Sequence, residues 1–373
     1  MVNDMIKLGD VATYTNGYAF KPEDRGEMGL PIIRIQDLTG NAYDLGFYDG
    51  EYSEKIEIND GDVLISWSAS LGVYVWSRGR ALLNQHIFKV VFDKVDIDKN
   101  YFVYAVRQKL VEMGMKTHGA TMKHIVKKDF DATLIPYPSL NKQTDIATNL
   151  NKVSRVIEAR KQELQLLDNL IKARFVEMFG DPIVNPMGWE KKPFLDMGNC
   201  KNGMNFHYND TGIEINCLGV GDFKDLDCIN DAEKLPTVSL NEMPSEEYLL
   251  KDGDIVFVRS NGNKALVGRS LVVYPGDVTT TFSGFCIRYR KTDDAISIPY
   301  LLRVLKTDSM RQKMAGRGAN IQNLNQQILG TLEIPVPPNE LQNQFAVFVR
   351  QVDKSKFVRR RGYLPNSSKC CIS

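Results

Sequence analysis

The chain has 373 residues, is 43% hydrophobic and 25% charged, and carries a formal net charge of +1. That is enough chain for two domains with cores of their own, and a near-neutral total excludes a polycationic coat but not a local basic patch. No run approaches the ~20 apolar residues that cross a bilayer, residues 1–10 lack a signal-peptide core, and six cysteines without a CxxC pair argue against a disulfide frame or zinc site. A cytoplasmic protein is expected.

In chain order, residues 1–140 read as a globular α+β unit. Val63-Leu64-Ile65-Ser66-Trp67 is a short buried strand opened by a Gly61-Asp62 turn. Phe88-Lys89-Val90-Val91-Phe92 is a second strand, and residues 101–110 read as a helix. Ile135-Pro136-Tyr137-Pro138 cannot continue a helix, so it is an extended exit from the unit.

Residues 141–182 form the next element, a long spacer helix. Positions 143–179 contain no Gly or Pro and are rich in strong helix formers. Leu150, Ile157, Leu164, Ile171 and Met178 stand seven apart, and Ile146, Val153 and Leu167 form a second line. Such spacing marks a helix that lays a narrow stripe on a partner helix, here over roughly 55 Å.

Residues 183–338 repeat the first unit. Asn16-Gly17-Tyr18-Ala19-Phe20 matches Asn202-Gly203-Met204-Asn205-Phe206, and Gly61-Asp62-Val63 matches Gly253-Asp254-Ile255. Gly119-Ala120-Thr121-Met122 matches Gly318-Ala319-Asn320-Ile321 at offset 199 (318 − 119), and Ile334-Pro335-Val336-Pro337 is the second exit. A distal helix then starts at 339–357, with Phe345, Val349 and Val352 on its seam. Lys356 and Arg359 at seam positions, then Gly362 and Pro365, end it early, so residues 358–373 are expected to be a disordered basic tail. On that reading Leu164, Leu167, Ile171 and Met178 lack a partner within the chain, and the expectation is either pairing of two copies through the exposed stripe or reduced activity of the complex.

Signatures of catalysis are missing: there is no phosphate loop, HExxH or GxSxG, and the four histidines lack metal-ligand spacing. An enzyme reading rests on Gly219-Val220-Gly221 alone, and the first unit reads Arg34-Ile35-Gln36-Asp37 at that place. Residues that read base edges recur instead in both units. Unit one offers Ser66, Trp67, Ser68 and Ser70, then Asn84, Gln85 and His86, then Lys116, Thr117, His118, Thr121 and Lys123. Unit two offers Arg259, Ser260, Asn261, Asn263 and Lys264, then Arg269, Arg317, Asn320, Gln322 and Asn323. Two related heads on a rigid rod suit a bipartite DNA target, whose half-sites recur every ~34–36 Å. The alternative is a protein–protein scaffold or dimerising adaptor.

With these residues in view, the chain resembles a specificity subunit of a type I restriction-modification system. The two variable domains, the Gly-Asp-Val and Gly-Asp-Ile strands, the Gly-Ala loops, the Pro-containing exits and the heptad helix ending Phe179-Gly180-Asp181-Pro182 carry the resemblance. It implies two target recognition domains joined by antiparallel coiled-coil helices, with the 66–70, 116–123, 259–264 and 317–323 loops on DNA. It also implies no catalytic centre or cofactor on this chain. Two modification subunits would bind it and methylate adenine with S-adenosylmethionine. Motor and nuclease subunits using ATP and Mg would cleave unmethylated DNA.

Overall fold

The computed structural model describes residues 4–40, 44–116, 125–206, 211–223, 226–315 and 323–361. It divides into two compact units, Met1–Ala159 and Arg160–Ser373. Mixed helix and sheet content in two repeated units agrees with the α+β expectation.

Unit one holds two four-stranded sheets. The first is antiparallel, in the order Thr13–Asn16, Ile87–Val91, Val63–Ser66, Gly72–Val75. Its central strand opens at Gly61, whose φ of +90° suits glycine. The Asp62 carboxylate then accepts the Asn59 N–H at 2.8 Å. Strand side chains alternate between faces, so a run of consecutive apolar residues needs two cores. Val63 and Ile65 enter one core with Phe88, Val90 and Phe102, whereas Leu64 enters another with Ile33, Trp76 and Ile87. The helix Lys99–Lys116 covers the first core with Phe102, Val103, Val106 and Leu110. Met5–Lys7 pairs antiparallel with Leu134–Pro136, so the segment's entry and exit lie side by side.

Unit two repeats the plan with a five-stranded and a three-stranded sheet. Its central strand, Asp254–Val258, again splits its side chains, with Ile255 and Phe257 in one core and Val256 and Val258 in another. Asp254 accepts the Lys251 N–H at 2.8 Å, the counterpart of the Asp62 turn. The helix Ile298–Lys306 opens with Pro299 in its first turn, where no backbone donor is lost. Lys191–Pro193 pairs antiparallel with Glu333–Pro335.

The central helix runs Leu140–Phe179 over 40 residues, about 60 Å. The distal helix runs Asn339–Arg361, past the expected end near 357. One buried glutamine fastens each helix to its globular part. Gln143 accepts the Asp98 N–H at 2.9 Å and donates to the Pro138 carbonyl at 2.8 Å. Gln342 accepts the Ser297 N–H at 2.7 Å and donates to the Pro337 carbonyl at 2.8 Å.

Two expectations about the helices are corrected. Leu167, Ile171 and Met178 are not partnerless: all three pack into the unit-two core together with Phe345, Val349 and Val352. Lys356 does not break the distal helix; it is buried and bonds Asp168 of the central helix at 2.5 Å. Phe345 meets Phe175 and Phe179 with ring centroids 5.6 Å apart in each case, whereas Lys356, later in the distal helix, meets Asp168, earlier in the central one, so within unit two the helices run antiparallel. Leu164 and Ile157 are half-buried. The seam residues left exposed are Ile146, Leu150 and Val153, at the other end of the helix.

Candidate nucleic-acid interface

Each buried central strand delivers one residue to a junction of three segments. In unit one that residue is Trp67. Its N–H donates to the His86 carbonyl at 3.3 Å, and its carbonyl accepts the Ile125 N–H at 2.9 Å. In unit two it is Arg259. Its N–H donates to the Phe285 carbonyl at 2.8 Å, and its carbonyl accepts the Leu324 N–H at 2.8 Å. Segments far apart in sequence therefore meet at one tip in each unit, by the same backbone bonds. Ser260 and Asn323 add an antiparallel bridge to the second tip.

The Asn-Gly repeats serve this junction. A side chain on Gly17 would meet the Asn84 carbonyl oxygen at 2.1 Å, and one on Gly203 would meet the Ser283 carbonyl oxygen at 2.1 Å. Only glycine lets the two backbones approach so closely. Asn16 accepts the Trp67 indole N–H at 3.3 Å.

Side chains at the first tip are largely aromatic. Trp67 stacks on Phe88 at 5.6 Å and meets His86 edge-on at 4.9 Å. His86 sits at φ +71°, and its buried Nδ1 has no hydrogen-bond partner among the described residues. Lys127 stands over the Tyr14 ring at 5.6 Å while pairing with Asp131. Gln85 and Ser70 are exposed and Asn84 is half-buried. Ser66 and Ser68 are buried, and the Ser66 hydroxyl donates to the Ser70 carbonyl at 2.5 Å, so Ser66 holds the hairpin together.

The second tip is polar and cationic. The Arg259 guanidinium donates to the Gly284 carbonyl at 3.2 Å. Asn261 accepts the Asn263 N–H at 2.7 Å, and Asn263 accepts the Ala265 N–H at 3.0 Å, which shapes the loop. Arg311 donates to the Ala265 carbonyl at 3.1 Å. Burial, and then the like charge of Arg269, push the Arg311 guanidinium below its usual range against the pull of Asp308. An anion beside such a pair relieves that repulsion.

Sequence reasoning missed Arg311, Lys127 and Phe285. Phe285, 61% exposed, stands where unit one has His86, and aligning residues 84–86 with 283–285 would have found it. Thr117, His118, Thr121, Lys123, Arg317, Asn320 and Gln322 lie outside the described residues, as do the side chains of Lys116 and Lys264. The Gly219-Val220-Gly221 stretch caps a single turn. The Gly219 N–H donates to Asp222 at 2.8 Å, as the Arg34 N–H donates to Asp37 at 2.8 Å in unit one. Among the described residues no three His, Cys, Asp or Glu side chains could hold a metal, and no helix is long and apolar enough to cross a membrane.

The chain is similar to known proteins. The family model described as "Type I restriction modification DNA specificity domain" matches residues 3–169 and 186–359. The Type I restriction enzyme EcoBI specificity subunit of Escherichia coli is 27% identical over 193 residues, 51% of this chain but only 40% of that subunit. The MjaVIII specificity subunit of Methanocaldococcus jannaschii is 20% identical over 96% of this chain and 88% of its own length. The StySPI specificity subunit of Salmonella potsdam is 24% identical over 93% and 80%. Among solved structures, the type I restriction-modification S subunit from M. genitalium matches with a TM-score of 0.53 at 14% identity, covering 96% of this chain and 91% of that one. That likeness concerns the fold.

Proposed function

The chain belongs to the type I restriction-modification DNA specificity family, and on that premise we propose that each unit reads one half of a split double-stranded DNA site. It is a recognition subunit, not the catalyst. One observation carries the proposal. Identical backbone junctions present Trp67 and His86 in one unit and Arg259 and Phe285 in the other. A common frame with unlike tips is what two heads reading unlike half-sites need. Arg259 offers donors to guanine, and Asn84, Gln85 and Asn323 offer the paired donor and acceptor that match adenine. The central and distal helices set the spacer between half-sites and dock two modification subunits, which carry S-adenosylmethionine. Motor and nuclease subunits carry ATP and Mg.

The test starts from the methylome of cells with and without the gene, which returns the split site. The chain is then assembled with its modification subunits and titrated with the cognate duplex and a scrambled one. A preference of about 10³ or more is expected. Equal binding to both duplexes, or a footprint without two protected blocks, removes the DNA reading and leaves the scaffold.

A further inference from the structure

Among the described residues three aromatic side chains are exposed, Tyr18, Tyr274 and Phe285, and two of the three stand at the tips. Phe285 is 61% exposed beside Arg259, and Tyr18 is 55% exposed beside Gln85. A single exposed ring is ordinary. One on each tip, with its backbone held in place, is not. The Phe285 carbonyl accepts the Arg259 N–H at 2.8 Å and the Ser260 N–H at 3.3 Å, and the Phe285 N–H donates to the Ser283 hydroxyl at 3.3 Å. The Tyr18 N–H donates to the Leu83 carbonyl at 2.9 Å, and the Tyr18 carbonyl accepts the Gln85 N–H at 2.8 Å.

The two rings come from different places in the repeat. Tyr18 follows Gly17, and its counterpart after Gly203, Met204, is half-buried. The counterpart of Phe285 is His86, half-buried with its ring 4.9 Å from Trp67. Each tip therefore offers one ring, supplied by the 16–20 segment in unit one and by the 283–285 turn in unit two. Their neighbours, Asn84 and Gln85 on one tip and Arg259 and Asn323 on the other, are of the types that hydrogen-bond base edges. In the major groove the apolar feature of a base edge is the 5-methyl group of thymine. A ring laid on that methyl removes apolar surface of both from water. The other use of a ring on DNA is as a wedge between base steps, which needs the ring free to enter the stack. Tyr18 is not free in that sense: Phe20 meets it edge-on at 5.0 Å and is itself backed by Tyr48 at 5.2 Å.

We propose that Tyr18 and Phe285 are specificity-determining residues, each laying its ring on the 5-methyl group of a thymine in its own half-site. The proposal rests on the DNA reading above and adds the base feature that each ring selects. In unit two the Arg259 guanidinium is tied to the Gly284 carbonyl at 3.2 Å, next in the chain to Phe285. The thymine under Phe285 and the guanine taken by Arg259 are therefore neighbours in that half-site.

The test uses the full chain assembled with its modification subunits, on the cognate duplex with each thymine replaced in turn by deoxyuridine. That exchange keeps every hydrogen-bonding group of the base and removes one methyl. Binding should weaken about fourfold at one position in each half-site, the transfer value of one methyl. Phe285→Ala should abolish the sensitivity in one half-site and keep it in the other, and Tyr18→Ala should do the reverse. Both side chains are exposed and both junctions are held by backbone bonds, so the variants fold. Sensitivity kept in the untouched half-site reports that the complex is intact. If the wild-type complex prefers the cognate to a scrambled duplex but deoxyuridine is silent at every thymine, this proposal falls and the DNA reading stands. Loss of that preference removes both. Sensitivity that survives in both alanine variants gives the methyl to another residue and overturns the proposal. So does a 2-aminopurine in the half-site that brightens with the wild-type complex and not with the alanine variants, which would make the rings wedges.

Discussion

Unit one and unit two share their turns, strand junctions and glutamine brackets, and differ where side chains leave that frame. At the tips the difference is chemical: an aromatic cluster around Trp67 against a guanidinium at Arg259. At the foot of each helix the difference is one of coverage: Phe345 is sealed and Ile146 is open. The bonds that recur are almost all made to or by the backbone, so they survive change in everything they support. This is how one fold keeps its geometry while altering what it presents.

The largest expected effect tests coverage. Phe345→Ala should cost unit two ~3–5 kcal/mol, because it opens a cavity in a packed core. Ile146→Ala should cost unit one below about 1 kcal/mol, since little apolar area is removed from water there. Hydrogen exchange in the strands Cys286–Lys291 and Ile87–Val91 reads the two units separately. Equal losses would erase the distinction between filled and open sites.

Next come the shared brackets. Gln143→Ala and Gln342→Ala each leave an N–H and a carbonyl without their side-chain partner, at about 1 kcal/mol per bond lost. Gln342 also donates to the Ala295 carbonyl at 2.9 Å, so its loss should be the larger, and equal losses would show that this extra bond contributes nothing. Of similar size, but in binding, Arg259→Ala should cost ~1–3 kcal/mol and relax preference in one half-site only. Trp67→Ala should act on the other half-site. Uniform weakening on all duplexes would reassign Arg259 to phosphate.

The smallest effect is one of pH and belongs to unit two alone. Burial would push the Asp227 carboxyl up, but Arg303 and Lys306 outweigh it and hold it at about 2. Its folded value lies below the unfolded one of about 4, so its stabilisation is present above pH ~4 and lost as pH falls through about 2. Asp227→Asn should flatten that acid limb in unit two and leave unit one unchanged, followed by circular dichroism.

Much of this frame was legible in the residues. The internal repeat located both central strands, both exits and the long helix, because glycine turns and a Gly-free apolar stripe are local signals. The packing of the helix end was not legible. A seven-residue template picks out Ile171 and Met178, yet the packed face is Ile171, Phe175 and Phe179, at four-residue steps. That is the spacing of a helix lying on a globular core, and it replaces the coiled-coil period where the helix reaches unit two. Lys356 misled for a related reason: a cation on a seam reads as a break until Asp168 is found beside it. At the tips, Ser66 looked like a surface donor because sequence cannot show that its hydroxyl closes its own hairpin.

The antiparallel pairing of Met5–Lys7 with Leu134–Pro136, and of Lys191–Pro193 with Glu333–Pro335, sets the entry and exit of each globular segment about 4.8 Å apart. Each segment is therefore a cassette with adjacent ends. Exchange of one cassette for another must keep the closing strands and, in unit two, the Tyr300 face on which Phe175 and Phe179 of the central helix pack.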